Sequence, residues 1–172
     1  NTPKALLEVR GERLIERQIR QLREAGVQDI TVVAGYRKEP FEYLTDEFGV
    51  RLLINPDYAS SNNLHSLALA AMEARPGGAF SADRGFDCCY VVPCDLWFDH
   101  NPFRPFELCS WYAVSAEEDA ASDVRVNRKG EPVRRSGSEA GNRTVGIACF
   151  CGEDAARLRE NLLAMDTRPQ YR

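Results

Sequence analysis

From Glu12 to Asp95 the chain alternates amphipathic stretches with short β-branched runs, and few architectures accommodate that alternation. In "ERLIERQIRQLREA" (12–25) Leu14, Ile15, Ile19, Leu22 and Ala25 recur at helical spacing, and Gly26 stops the helix. "DITVVAGY" (29–36) reads as a buried strand. "KEPFEYLTDEFG" (38–49) has Pro40 near its first turn and Gly49 just past its end, as a helix prefers. "VRLLIN" (50–55) is a second strand, and "NNLHSLALAAMEA" (62–74) a helix capped by Asn or Ser. "FDCCYVVPCD" (86–95) is a strand that stops abruptly at an acid. Such alternation predicts an α/β fold with crossover connections and a mostly parallel sheet covered by helices on both faces.

Ligands of such sheets collect at the carboxyl ends of the strands, which places Gly35, Tyr36, Asn55 and Asp95 near a shared cleft. The second half is less regular. "CSWYAVSA" (109–116) and "TVGIACF" (144–150) read as strands and "GEDAARLRENLLAM" (152–165) as a helix. Between them, residues 117–143 are polar, with hairpin chemistry at Lys129-Gly130, and read as a solvated excursion.

At 172 residues the chain suits one domain, and a net charge of −4 without a Lys/Arg block offers nothing to nucleic acid or an anionic membrane. A small-molecule ligand or a protein partner is expected instead. No apolar stretch reaches the roughly 18 residues needed for a bilayer span, so no membrane insertion is expected and the expected location is cytoplasmic. None of the six cysteines forms a C-x-x-C pair, and most lie in strand-like runs, which predicts reduced structural thiols rather than a metal site.

Asp95, at the end of a buried strand, could offer a hard oxygen ligand to Mg²⁺, or could simply cap the following turn. Lys4, alone behind Pro3, is a surface charge unless an anion lies beside it. In "PDYASSNNLHSL" the side chains of Asn62, Asn63 and Ser66 could bind a heterocyclic base or an anion at a helix N-terminus, or cap that helix. Neither His65 nor His100 has a Ser or Cys partner at a triad spacing.

The stretch "NTPKALLEVRGERLIERQIRQLREAGVQDITVVAGYRKEPFEYLTDEFGVRLLINPDYASSNNLHSL" resembles the early part of the bacterial nucleotidylyltransferases that include the CTP:phosphocholine cytidylyltransferases, relatives of the sugar-phosphate nucleotidylyltransferases. The similarity runs in order to about Phe103. In that family "TPKAL" closes the nucleotide signature, "GY" ends a strand, "NN" followed by "SL" opens a helix, and an acid follows the strand written here "YVVPCD". The resemblance implies a Rossmann-like three-layer sandwich of the nucleotide-diphospho-sugar transferase type, with a mostly parallel, mixed sheet. It further implies that residues 1–172 form a single nucleotidyltransferase-like domain, incomplete at both ends. The signature's strand and its Gly-rich loop with a basic residue would precede "TPK", a second acidic metal ligand would follow, and the residues as given are expected to be inactive by themselves.

By resemblance, the full protein moves a nucleotidyl group from CTP to a small phosphomonoester such as phosphocholine and releases pyrophosphate. Asp95 would hold Mg²⁺, Lys4 would face the phosphates, and Gly35, Tyr36, Asn62, Asn63 and Ser66 would border the nucleotide. Phosphocholine-specific members place aromatic rings around the ammonium. Here "EEDAASDVRV" (117–126) offers only acids, so Trp97 and Asp123 are the acceptor candidates, and phosphoethanolamine or an aminophosphonate stays open. Two other readings stand beside this one: a nucleotidylyltransferase for a sugar 1-phosphate or a pterin cofactor, and a non-catalytic nucleotide-sensing domain of the same fold.

Overall fold

The computed structural model describes residues 2–35, 37–73 and 88–166. A two-residue hairpin, β1 (Glu8–Val9) and β2 (Glu12–Arg13), leads into α1 (Leu14–Glu24), followed by β3 (Thr31–Ala34), α2 (Tyr43–Phe48), β4 (Arg51–Ile54) and α3 (Asn63–Met72). The second half contributes β5 (Cys88–Val91), β6 (Trp111–Asp119), β7 (Val124–Val126), β8 (Pro132–Arg134), β9 (Gly141–Cys151) and α4 (Glu153–Asp166). The β1–β2 turn falls on Arg10 and Gly11, both at positive φ, so the helix expected from Glu12 begins two residues later.

α1 buries Leu14, Ile15, Ile19 and Leu22, the stripe its spacing predicts. Ile15, Ile19 and Leu22 of that stripe pack with Val32 and Ala34 from β3, with Leu44 of α2 and with Val50 into one core. A second apolar cluster joins Ala68 and Ala71 of α3 to Leu162 of α4. Two clusters of helices, with α3 also in contact with β3, give the three layers of an α/β sandwich.

β3 and β4 pair in parallel, Thr31 opposite Arg51 through Ala34 opposite Ile54. β9 lies between β5 and β6 and is antiparallel to both. The expected mostly parallel sheet is observed among the described residues as two separate ladders, a parallel one of β3 and β4 and an antiparallel one of β5, β9 and β6. The reason is the connection: β6 reaches β9 through the β7–β8 hairpin, with no helical crossover to return the chain to its starting end. That hairpin is the excursion expected at 117–143, and Asn127 fixes its turn by accepting the N–H groups of Lys129 and Glu131. No helix among the described residues is long and apolar enough to cross a membrane.

The expectation of six reduced thiols needs correction, because Cys88 and Cys151 form a disulfide. They stand opposite each other in the β5–β9 register, and only that pairing brings together residues 63 positions apart. Cys89 and Cys149 remain free and buried. Burial pushes both thiols up to about 12, with a smaller push from Asp29 on Cys89 and from Glu107 on Cys149.

Two predictions follow from this packing. Leu44 is fully buried, and Leu44→Ala is expected to destabilise the fold by about 2–5 kcal/mol in urea denaturation. A raised thiol pKa in the folded state means that stability is fully present below the unfolded value near 9 and is lost as pH rises toward about 12. The urea midpoint should accordingly fall across that window, and a flat profile would show that Cys89 and Cys149 are not held neutral.

Candidate active site

β5 continues into Pro93, Cys94 and Asp95, and α1 holds this segment from beneath. The buried Gln18 donates its Nε2 to the carbonyls of Pro93 (3.0 Å) and Leu96 (2.8 Å). Its neighbour Arg17 donates to the Phe98 carbonyl (2.7 Å) and lies over the Trp97 ring at 4.0 Å from its centroid. Asn101 returns to α1 by donating to the Gln21 carbonyl at 2.8 Å. These bonds leave the Asp95 carboxylate facing outward, 43% exposed. Beside it, burial pushes the Cys94 thiol up to about 11, with Asp95 adding to the effect, so this cysteine stays protonated and unreactive at neutral pH.

Lys4 reaches the same place from the other end of the sequence. It opens a 3₁₀ turn, Lys4–Leu6, behind Pro3, and Ala5 and Leu6 anchor that turn in the core. The side chain is left in solvent, 82% exposed, with Nζ 4.0 Å from Asp95 Oδ2. The two residues singled out for chemistry thus meet, although they stand 91 positions apart in the sequence.

The loop after β4 is organised by Asn55, only 2% exposed. Its Oδ1 accepts the Asp57 N–H at 2.9 Å and its Nδ2 donates to Ser66 Oγ at 3.0 Å, tying the loop to the first turn of α3. His65 closes on the same loop, Nε2 3.5 Å from Asp57 Oδ2. Asn62 caps α3, accepting the Leu64 N–H at 2.9 Å, so of its two readings the structure displays the cap. Gly35 follows β3 at a point where a Cβ would come within 2.4 Å of the Tyr58 Cβ, so the close approach of this loop requires glycine.

Asp95, Asn63 and Ser66 line one cavity of about 1020 Å³, with Lys4 beside its Asp95 edge. The other candidates lie apart. Trp97 has a face covered by Arg17 and donates its indole N–H to Asp99, which together with Arg10 holds the Asp99 carboxyl below the usual range. Asp123 belongs to the base of the β7–β8 hairpin, where its carbonyl accepts the Arg135 N–H and its carboxylate faces the Arg135 guanidinium at 3.9 Å. Tyr36 lies outside the described residues.

One positioning residue escapes a reading of motifs, and another was read without its partners. Gln18 is a carboxamide inside the apolar stripe of α1, and that breach of the pattern is its signal. Asn55 was legible as a strand-end residue, but its partners Asp57 and Ser66 are set by the loop's path.

Residues 1–146 match the MobA-like NTP transferase domain. The chain belongs to that family. It is similar to a choline-phosphate cytidylyltransferase of Streptococcus pneumoniae, 38% identical over 123 residues that cover 72% of this chain and 48% of that protein. A 2-aminoethylphosphonate cytidylyltransferase of Lancefieldella rimae is 30% identical over 164 residues, 91% of this chain and 62% of that protein. Among solved structures, the CTP:phosphocholine cytidylyltransferase of S. pneumoniae superposes with a TM-score of 0.75 at 31% identity, over 96% of this chain and 68% of that one. The chain spans about half the length of the curated relatives it matches.

Asn55→Ala removes one acceptor and one donor from a buried site and is expected to cost about 1–3 kcal/mol of stability. Urea denaturation measures it, and a cost within error of zero would mean that the 55–62 loop is held by something else.

Proposed function

We propose that the protein carrying this chain transfers the cytidylyl group of CTP to a small amine-bearing phosphomonoester and releases pyrophosphate. The observation that carries the proposal is the pairing of Lys4 with Asp95 at a strand's carboxyl end, on the rim of a cavity that Asn63 and Ser66 also line.

In this reaction an acceptor phosphate oxygen bonds to the α-phosphorus of CTP while the bond to the bridging oxygen breaks, and pyrophosphate leaves with that electron pair. The nucleophile is an anion at neutral pH, so no general base is needed. Neither histidine is placed as one, since His65 is buried against Asp57 and His100 is exposed beside Asp99. Catalysis is then alignment of two anions and neutralisation of the charge that develops. Lys4, fixed at its backbone and free to swing at its ammonium, faces the phosphates, and Asn63 and Ser66 offer hydrogen-bonding groups to the base. Asp95 fits Mg²⁺: it is a hard oxygen donor, accessible, and one carboxylate leaves the remaining positions to water and phosphate oxygens. Bound there, the cation would neutralise charge on the reacting phosphates.

An ammonium on the acceptor is supported by the acceptors named for two relatives. The relatives named for choline phosphate and 2-aminoethylphosphonate both act on nitrogen-bearing acceptors. A primary amine suits this chain better than a quaternary one, because residues 117–126 contain no aromatic ring and the Trp97 face is covered by Arg17.

Pyrophosphate release measured with CTP and Mg²⁺ against phosphocholine, phosphoethanolamine, 2-aminoethylphosphonate and glycerol 3-phosphate tests both levels of the proposal. Turnover is expected with the nitrogen-bearing acceptors, and Asp95→Ala is expected to lower it by ~100-fold or more with the fold retained. Unchanged turnover in that variant removes Asp95 from the mechanism, and equal use of glycerol 3-phosphate removes ammonium recognition.

A further inference from the structure

Strand alternation gathers sulfur on one face of the β5–β9–β6 ladder. Cys88 stands opposite Cys151 and Tyr90 opposite Cys149, so Cys88, Cys149 and Cys151 project from the same side, while Cys89, opposite Phe150, projects from the other. The sulfur atoms of Cys88, Cys149 and Cys151 all lie within 4.8 Å of one another, and Cys149 Sγ is 3.8 Å from Cys151 Sγ. Cys149 is fully buried, whereas Cys88 and Cys151 are half-buried and leave the cluster open toward solvent.

A covalent staple between β5 and β9 uses two sulfurs, Cys88 and Cys151, and has no use for a third in contact with them. A thiolate-bound metal uses all three. In a tetrahedral zinc site with Zn–S bonds of about 2.3 Å the sulfurs stand about 3.8 Å apart, the spacing that Cys149 and Cys151 already have. Paired strands carry these ligands, and the main chain at Cys151 is fastened further. Its N–H donates to Ser110 Oγ at 3.0 Å, and that hydroxyl donates to Asp154 Oδ2 at 2.6 Å, so the residue before β6 and the first turn of α4 both hold the strand end.

We propose that Cys88, Cys149 and Cys151 form a site for one zinc ion, and that metal and disulfide are alternative states of the same sulfurs. A dithiol reductant supplies two electrons and two protons to break the Cys88–Cys151 S–S bond and leaves as its own disulfide. Three thiols then each release a proton to solvent as three Zn–S bonds form, and the fourth position goes to water. Soft thiolates select zinc over Mg²⁺, which takes oxygen ligands. The cluster begins seven positions before Asp95, at the other end of β5, so the sulfur site and the carboxylate are separate. In either state β5 is fastened to β9 at that end.

The test is titration of the full-length protein carrying this chain with Co²⁺ and then Zn²⁺, with Cys109→Ser introduced so that this exposed thiol neither cross-links nor takes up metal. Reduced with a dithiol and freed of it without air, the protein is expected to show a sulfur-to-cobalt charge-transfer band and the visible bands of tetrahedral Co²⁺, both lost when Zn²⁺ displaces the probe. The oxidised protein should show neither until reductant is added. Cys149→Ala and the half-buried Cys151→Ser are each expected to weaken Zn²⁺ binding by about 100-fold or more with the circular dichroism retained. Cys89→Ala, which removes a thiol from the opposite face, should leave binding unchanged. Bound Zn²⁺ should also slow re-formation of the Cys88–Cys151 bond by oxidised glutathione by about tenfold or more, read by mass spectrometry after alkylation. Unchanged Zn²⁺ affinity in folded Cys151→Ser overturns the proposal. So does equal Co²⁺ binding by oxidised and reduced protein, a comparison that needs no substitution within the cluster. Because the readouts are metal binding and thiol oxidation, their failure leaves the nucleotidyl-transfer proposal standing.

Discussion

Gln18 projects a carboxamide from the apolar face of α1, where an unpaired amide would cost about 1–3 kcal/mol. The carbonyls of Pro93 and Leu96 remove that cost, and in doing so they fix where the chain goes after β5. A leucine in place of Gln18 would bury equally well but would leave two carbonyls without a donor and the segment between them without a tether. Arg17 and Asn101 extend the same attachment to Phe98 and Gln21, so α1 determines where the segment that carries Asp95 runs. The hydrophobic stripe locates the helix; the polar groups at its edge locate the site.

Sequence periodicity carried most of the fold because each element in the first half has its own signal. The Ile15–Ile19–Leu22 stripe, the β-branched run at 31–34 and the Pro40/Gly49 pair each specify a local conformation without help from distant residues. What was illegible depends on contact between distant segments. The Cys88–Cys151 bond needs the β5–β9 register, and the antiparallel entry of β9 needs the path of the β7–β8 hairpin. The site divides in the same way. Asp95 announces itself as an acid ending a buried strand, whereas Lys4 stood out only through the motif around it, and the covering of Trp97 by Arg17 follows from packing that no local pattern encodes.

The weakness of the Lys4–Asp95 pair bears on what it can do. At 4.0 Å, with Lys4 82% exposed, such a pair contributes about 0–1 kcal/mol and is screened by salt. Its value to the fold is therefore small, and the backbone on each side is held by other means, Leu6 in the core and Gln18 on the Pro93 carbonyl. A tight, buried ion pair in the same place would resist any ligand, because a phosphate would have to displace the carboxylate from its own counter-ion. Here the opposite holds: the ammonium can turn to an anion and the carboxylate to a cation at little cost, while the two main chains stay where α1 and the 3₁₀ turn put them. Rigid backbone with loosely paired charges is the arrangement a site needs when its ligands bring charges of both signs.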